Sequence, residues 1–350
     1  MKKVLFISLF VILITSIEGI SQSRHFNSTS IGMGGGGTAY VDGYHANFIN
    51  PANLMINRTG NRQKRSVGLL GGIGLRSGGT LFNLEAYDTY LTKGLTLEGQ
   101  VADDMLTAFF GSSDVTATRD VSTTFSMVPF GFANRGNKSS FSLATRTRIT
   151  QDFTVNRGFA ELGIYGLDPS KFGSSTPIDF SFGTVVFSEV SVGYAREVLS
   201  LPNLLFAKNV KLYAGIAPKY LIGFQNFNLD FNSTLQMTQR TVDGEQVTER
   251  ITHNFDYKLN TVGNLAQDLR AYEQAYNLDN SVELDSYLNS DDPSGYVGVN
   301  ASGFGLALGA TLEMDISGVP IIDGIFGKKK TLRVSMAITQ HLHTRFGDQN

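Results

Sequence analysis

Long stretches in which apolar residues alternate with small or polar residues place the strongest limit on the fold of this chain. Successive side chains of a β-strand point to opposite faces, so a period of two predicts strands with one apolar face. The stretches run for about 10 to 14 residues, whereas strands in globular proteins most often have about 5 to 6. The predicted strands cover 66–75, 121–133, 139–150, 189–197, 210–223, 227–237, 302–315 and 331–343.

The clearest stretch, 302–315, places Leu306, Leu308 and Leu312 on one face and Glu313 on the other. Strands that cross a bilayer obliquely need roughly 9 to 11 residues, with lipid-facing apolar residues alternating with lumenal polar ones. Backbone groups in hydrocarbon must all be paired, so such a sheet must close on itself. The pattern predicts an all-β fold, a transmembrane antiparallel β-barrel. The alternative, a soluble β-sandwich, would alternate over shorter strands.

The composition excludes several classes of function. The chain has no cysteine, which removes disulfides, thiolate metal sites and cysteine nucleophiles. Its formal net charge of -2 lacks the basic footprint that nucleic-acid binding requires, so no nucleic-acid partner is expected. The mean hydropathy of -0.05 suits either a soluble protein or a membrane barrel in which only every second strand residue meets lipid.

The N-terminal residues have the pattern of an export signal. A pair of lysines precedes an apolar stretch over 4–17, and small residues offer a cleavage site before Gln22. The alternative is a single membrane helix, but the apolar stretch is shorter than the roughly 20 residues that span a bilayer. We therefore predict a cleaved signal peptide over 1–21.

Residues 22–62 are rich in glycine and asparagine and show little periodicity, which indicates an irregular plug ahead of the barrel over 63–350. Its glycines are expected to allow close packing or positive φ, and its Asn-Pro-Ala sequence to form a rigid turn. Three of the glycines match a dinucleotide-binding pattern, but no strand precedes them and no βαβ unit surrounds them, so no cofactor is expected. The predicted plug or gate residues are Gly32, Gly34, Gly35, Gly36, Gly37, Asn50, Pro51 and Ala52.

Two stretches with helical spacing interrupt the strands. In 96–111, apolar residues recur every fourth position, with Thr96 as candidate N-cap and Gly111 at the C-terminal stop. In 264–289, leucines and tyrosines recur at helical spacing before an acidic stretch. The acidic stretch lacks a calcium-loop pattern and is expected to be a solvated loop. We predict short helical insertions at both places, the second on the outer side of the membrane.

Several charged residues alternate with apolar ones and are therefore expected to point into the barrel. Two interpretations remain open for them. In the first they pair with each other and fill the interior; in the second, one or two arginines hold the carboxylate of an amphipathic solute. The predicted lumen-facing residues are Arg146, Arg148, Lys211, Lys219, Arg333 and Glu313, together with Glu189.

No motif indicates an enzyme. The chain lacks the Gly-x-Ser-x-Gly sequence that places a nucleophilic serine in many hydrolases. His341 and His343 share a strand face, but no carboxylate or third ligand accompanies them, so no metal site is predicted.

The glycine run at 32–37, the Asn-Pro-Ala sequence that follows it, the early helical insertion and the strand segment 188–197 together resemble FadL-type outer-membrane barrels. The resemblance is to an uncharacterised FadL-related group of Bacteroidota. It implies a barrel in the outer membrane of a Gram-negative bacterium, with the N-terminal segment tucked into the lumen. It also implies about 14 strands, within the range known for such barrels, so we expect that the C-terminal part of the natural protein is missing here.

The function that this resemblance implies is uptake of hydrophobic or amphipathic small molecules such as fatty acids. Membrane lipids and a hydrophobic small-molecule ligand are the partners expected for that function. The alternative is a non-transporting barrel that docks another outer-membrane protein or assists secretion, as the PorV-like relatives of FadL do. The helical insertions depart from FadL itself, so its ligand-binding residues cannot be carried over to this chain.

Overall fold

The computed structural model describes residues 30, 36–56, 64–204, 207–288, 298–317 and 331–346, with side chains described up to residue 339. The signal peptide predicted over 1–21 lies outside the described residues, and so do Gly32, Gly34 and Gly35.

The described part of the chain forms one nine-stranded antiparallel sheet, which confirms the all-β prediction. Neighbours along the sheet follow the order β1-β2-β3-β5-β6-β8-β9, and β4 and β7 each pair with β6. No described residues pair β1 with β9, so the sheet is open there. The strands are β1 Arg65–Gly78, β2 Thr118–Arg135, β3 Ser139–Asn156, β4 Thr176–Pro177, β5 Phe180–Leu204, β6 Ala207–Val242, β7 Glu245–Thr261, β8 Ala301–Asp315 and β9 Thr331–Phe346.

The strand β6 is continuous where the residue pattern predicted two strands, 210–223 and 227–237. The cause is a β-bulge: Phe187 pairs with Gly223, whereas Val186 pairs with Gln225, which leaves Phe224 as an extra residue. An extra residue shifts the alternation by one, so the apolar face moves from even to odd positions. Strand β7 was not predicted from the sequence, because charged residues interrupt its apolar alternation.

The two ends of the sheet differ in their connections. At one end, the hairpin end, β2 ends at Arg135 and β3 begins at Ser139. At the opposite end, the helical end, the β1–β2 and β3–β5 connections contain helices. The longer helices are α1 Gly99–Phe110, α2 Arg157–Tyr165 and α3 Asn264–Leu278. A short α-helix, Leu84–Ala86, and a π-helix, Tyr87–Leu91, precede α1, and two 3₁₀ helices, Gly43–Phe48 and Pro51–Met55, precede the sheet.

Helices lie within both predicted insertions, and the first begins later than its residue pattern indicated. Helix α1 begins after Glu98 rather than Thr96, and it ends as predicted at Gly111, whose φ of 69° is the left-handed conformation of a helix stop. The insertion predicted over 264–289 contains α3, followed by a short 3₁₀ turn at Leu284–Ser286. Among the described helices, none combines the length and apolar character that crossing a membrane requires.

Helices α1 and α2 pack against β3 at the helical end. Met105, Leu106 and Phe110 of α1 form a buried cluster with Val155 of β3. A polar contact joins the same helices to the following loop: the Asp103 carboxylate accepts hydrogen bonds from Tyr165 Oη at 2.8 Å and from Lys171 Nζ at 2.8 Å. These donors hold the pKa of Asp103 below its ordinary value of 3.8, Lys171 having the larger effect and Tyr165 the next.

Acid is therefore expected to loosen the contact between α1 and α2. A carboxyl whose pKa is lowered by folding stabilises the fold above its unfolded pKa, and this contribution is lost as pH falls through the folded value. The loss should set in below about pH 4. Hydrogen exchange of α1 amides, corrected for intrinsic rates, should rise at pH 3 in the wild type, whereas Asp103→Asn should exchange fast at both pH 7 and pH 3. Asp104→Asn on the same helix is the control, and a wild-type response that survives in Asp103→Asn would contradict the assignment.

The sheet has an inner face, which the N-terminal residues 36–56 contact, and an outer face on the opposite side. On the outer face one register row carries exposed apolar side chains across neighbouring strands, each 41–47% exposed. Its members are Phe141, Tyr194, Ile216, Leu308 and Ile338.

This apolar row does not continue across β2 and β1, where the register places Asn134 and Arg65. A second apolar row lies nearer the helical end and crosses β1, β2, β3 and β5: Leu75, Phe125, Ile149 and Val186. The second row ends on β6, where Gln225 occupies the next position. The apolar band therefore moves along the strands as it crosses the sheet.

A polar row separates the apolar band from the outer-face residues Val121, Phe153 and Phe182, which lie nearer the helical end. Two positions beyond the second apolar row, each of four adjacent strands places a polar residue on the outer face. The row consists of Ser77, Thr123, Gln151 and Thr184.

Candidate functional site

The N-terminal segment, residues 36–56, lies against the inner face. Its first 3₁₀ helix contacts β1, β2, β3 and β5, and its second contacts mainly β5, β6 and β8, with smaller contacts to β2 and β3. The described part of the predicted irregular plug thus contains two short helices. Its fully buried residues are Ala46, Asn47, Phe48, Asn50, Ala52 and Asn53.

Three buried asparagines, Asn47, Asn50 and Asn53, recur every third residue in this segment. A 3₁₀ helix has three residues per turn, so this spacing favours side chains that follow one another along the segment. Each asparagine side chain has two donors and one acceptor oxygen, and burial is costly unless these groups are satisfied.

Asn50 and Asn53 meet the hydroxyl of Thr311, which lies on β8. Asn50 Nδ2 donates to Thr311 Oγ1 at 3.0 Å and to the carbonyl of Thr38 at 2.8 Å, while its Oδ1 accepts from the main-chain N–H of Ala52 at 3.1 Å. Asn53 Nδ2 donates to the same Thr38 carbonyl at 2.9 Å, and its Oδ1 accepts from Thr311 Oγ1 at 2.7 Å. The turn around Pro51 is therefore bonded both to the segment itself and to β8.

Asn47 ties the segment to two other strands. Its Nδ2 donates to the carbonyl of Ser191 on β5 at 3.2 Å, and its Oδ1 accepts from the hydroxyl of Ser142 on β3. All three residues are buried. The asparagines therefore link three strands through one short stretch of chain.

Glycines on the strands make room for this close approach. A Cβ atom at Gly215 of β6 would overlap the main-chain nitrogen of Ala52 and the carbonyl carbon of Pro51. A Cβ atom at Gly309 of β8 would overlap the side-chain oxygen of Asn50. The same relation recurs on other strands, where Gly193 faces Asn47, and Gly68, Gly71 and Gly131 face Tyr44. We call Gly193, Gly215 and Gly309 the seat glycines.

The glycines of the segment itself have other roles. Gly36 has φ +78°, and the nearest atom to an added Cβ would be Tyr40 Oη at 4.0 Å, so its conformation rather than its packing requires glycine. Gly37 has φ +136°, and an added Cβ would also lie 2.6 Å from Val41 Cγ2 and 2.9 Å from Ile49 Cδ1. Gly37 is therefore restricted in both ways.

Next to the segment lies a buried ion triad, Arg146, Glu189 and Lys219, whose side chains are all 0% exposed. Arg146 donates to Glu189 Oε1, and Lys219 Nζ lies 3.2 Å from Glu189 Oε2. The ring of Phe48 covers both cations, with its centroid 4.6 Å from Arg146 Cζ and 5.6 Å from Lys219 Nζ. One carboxylate thus serves two buried cations, and the N-terminal segment closes over them.

A patch that is less buried than the ion triad lies towards the helical end of the inner face. Arg148 places its guanidinium carbon 5.8 Å from the centroid of the Phe187 ring. The next register pair joins Thr150 to Val185, which is 36% exposed. This part of the inner face combines apolar surface with a guanidinium group.

The remaining residues predicted to face the lumen form separate pairs. Lys211 Nζ lies 3.5 Å from a carboxylate oxygen of Glu197, and the lysine side chain is 41% exposed. Arg333 Nε donates to Glu313 Oε2 at 2.6 Å. These pairs join neighbouring strands and do not converge with the triad.

The histidines are dispersed. His253 Nε2 lies 2.7 Å from the hydroxyl of Ser233, while His25 and the side chains of His341 and His343 lie outside the described residues. Within the ranges that the structure describes, no group of three or more His, Cys, Asp or Glu could hold a metal ion.

Asn47, Asn53, Phe48 and the seat glycines are site residues that were not predicted from the sequence. The three-residue spacing of the asparagines is visible in the sequence and is the signal that could have identified them. The seat glycines occupy inner-face positions of predicted strands, where a small residue indicates that another backbone approaches closely.

Fold and site together define an all-β protein whose antiparallel sheet holds its own N-terminal segment against one face. The chain belongs to the family of unknown function DUF5723, which it matches over residues 59–340. The match covers β1 to β8 and most of β9, and it begins after the N-terminal segment. Comparisons with curated proteins and with solved structures found no match.

Proposed function

We propose that the protein is an outer-membrane β-barrel that takes up hydrophobic or amphipathic small molecules such as fatty acids. The observation that carries the membrane part is the oblique apolar band on the outer face. Strands of membrane barrels tilt by about 35–45°, so a flat lipid layer meets neighbouring strands at successively shifted positions. The first apolar row ends at Asn134 on β2, and the second, shifted towards the helical end, stops at Gln225 on β6. The two rows therefore have this stagger.

The contrast between the two faces supports the same proposal. Buried positions on β5 carry Glu189, Ser191 and Gly193, while Val192 and Tyr194 between and beside them are exposed on the outer face. A soluble sheet would bury its apolar face and expose its polar one. Here the order is reversed, as in a barrel with a polar interior.

The connections suggest an orientation for the barrel. Outer-membrane barrels have short periplasmic turns and longer loops outside, so the hairpin end would face the periplasm and the helical end the exterior. The two edge strands β1 and β9 run in the same direction. An antiparallel closure therefore places an odd number of further strands between them.

The patch around Arg148 suits an amphipathic solute. Phe187 and Val185 offer apolar surface for a hydrocarbon chain, and the guanidinium offers a charge-assisted hydrogen bond to a carboxylate. This arrangement favours fatty acids over uncharged hydrocarbons as the substrate class.

Uptake into vesicles containing the reconstituted protein tests the proposal. Arg148→Gln is expected to reduce uptake of a labelled long-chain fatty acid about ten-fold or more, because a hydrogen bond to a charged group is worth about 1.5–3 kcal/mol. Uptake of the fatty alcohol of equal length should change little. Arg196→Gln, on an exposed arginine, is the control. Wild-type vesicles that take up neither compound faster than empty vesicles would contradict a transport function.

A docking barrel is the second candidate, and two observations favour it. The N-terminal segment and the buried ion triad close part of the inner face. Moreover, β7 exposes Ile251, Phe255 and Tyr257 by 48–61%, further towards the helical end than the polar row. Such a patch outside the lipid band is typical of a protein-binding surface. Failure of the uptake test would make this candidate the stronger one.

A further inference from the structure

We infer that the inner face is a peptide-binding site whose resident ligand is the N-terminal segment, held as a permanent clasp between strands rather than as a moving gate. The part of this inference that concerns solute passage rests on the proposed function. The binding site itself rests only on the contacts between the segment and the strands.

The seat is complementary to main-chain atoms of the turn at Gly215 and to asparagine side chains at Gly193 and Gly309. At Gly215 the segment approaches so closely that even a methyl group would overlap main-chain atoms of Pro51 and Ala52. Main-chain atoms cannot swing aside as a flexible side chain can, so this contact fixes the position of the turn. On the flanking strands, Gly309 and Gly193 leave room for the side-chain oxygens of Asn50 and Asn47, which are held there by their hydrogen bonds.

The segment also bridges strands that are not neighbours. Asn47 bonds to β3 and β5, Asn50 and Asn53 bond to Thr311 on β8, and Phe48 contacts cations of β3 and β6. The sheet order places β3 and β8 three strands apart. The segment therefore fixes the curvature of the inner face across strands that do not pair with one another.

Movement of the segment would break all of these contacts together. The asparagines and Thr311 would lose their partners, and the cations of the ion triad would lose the ring of Phe48. Buried polar groups without partners are costly, and each loss adds to the others because the segment moves as one piece. The inner face has several such contacts, which is why we assign a clasp rather than a gate.

A reversible disulfide that locks the segment to β8 tests this assignment. The chain has no native cysteine, so the new disulfide has no competing partner. In the double variant Asn53→Cys/Thr311→Cys, the new thiols replace side chains that lie in hydrogen-bond contact. Oxidised and reduced samples of this one variant differ only in the lock. A clasp predicts equal fatty-acid uptake in both, within about two-fold; loss of uptake on oxidation with recovery on reduction would show a gate and overturn the inference.

A second arm does not depend on transport. Gly215→Ala should raise hydrogen exchange in the segment at least ten-fold, because the added methyl group displaces the turn. Gly78→Ala is the matched control, since a Cβ there meets nothing within 4 Å. Asn50→Asp keeps the size of the side chain while removing its donor, and it should give the same loss of protection if Gly215→Ala does not fold. Unchanged exchange in the folded variants would overturn the binding site, whereas absent wild-type uptake would contradict only the proposed function.

Discussion

Replacing Glu189 with alanine is expected to destabilise the folded protein by about 3–5 kcal/mol, the range found when one partner of a buried ion pair is removed. Glu189 is the carboxylate that Arg146 and Lys219 share, and all three side chains are 0% exposed. Without it, two like charges would remain together in a region of low dielectric. The effect should therefore exceed that of removing an ordinary surface pair.

The comparison with Glu197→Ala makes this prediction specific. Glu197 of β5 pairs with Lys211 of β6, the two strands that also carry Glu189 and Lys219. That lysine is 41% exposed, and its Nζ lies 3.5 Å from the Glu197 carboxylate. Exposed pairs contribute about 0.2–1 kcal/mol, so this variant should be nearly neutral. Unfolding can be followed by circular dichroism, since the chain has no tryptophan to report by fluorescence. Equal destabilisation by the two variants would show that the ion triad is not held in a low-dielectric environment.

A further variant separates charge from packing. The triple substitution Arg146→Met/Glu189→Leu/Lys219→Met removes all three charges while keeping apolar volume. It should recover most of the stability lost in Glu189→Ala, because apolar replacements of buried ion pairs are often neutral or stabilising.

The sequence alone was enough to predict which residues of a strand share a face. Alternation placed Arg146 and Lys219 on the same face as Glu189, and the structure has all three there. Their meeting could not be predicted, because it depends on the register between β3, β5 and β6, and no local pattern specifies a register over 43 residues of separation. The same limitation made β6 look like two strands, since the bulge at Phe224 reverses the alternation.

The candidate site was only partly visible for a related reason. The Asn-Pro-Ala turn and the glycine run could be predicted as site residues because they are locally unusual in the sequence. The seat glycines are unremarkable in their own strands, and their role follows only from what packs against them. Gly215 becomes informative when Pro51 and Ala52, which are distant in sequence, are seen to occupy the space that a side chain would need.

Replacing Leu308 with arginine is expected to destabilise the protein in bilayers by roughly 2–4 kcal/mol if the position lies near the membrane midplane. Leu308 is 44% exposed and lies in the apolar row between Ile216 and Ile338. In water such an exposed position would tolerate arginine, because surface substitutions usually change stability by less than about 0.5 kcal/mol. The size of the destabilisation therefore distinguishes lipid from water as the surroundings of the outer face.

Thr123→Arg provides the control for this prediction, because Thr123 belongs to the polar row that borders the apolar band towards the helical end. Near a membrane interface the cost of arginine falls to about 0–1 kcal/mol, so Thr123→Arg should unfold almost as the wild type does. Spin labels on Leu308→Cys and Glu313→Cys give an independent reading, and oxygen should reach the first more readily than a water-soluble nickel complex. Equal costs for the two arginine variants, or a water-accessible label at position 308, would remove the membrane barrel as an explanation of the outer face, because the oblique apolar band would then not lie in lipid.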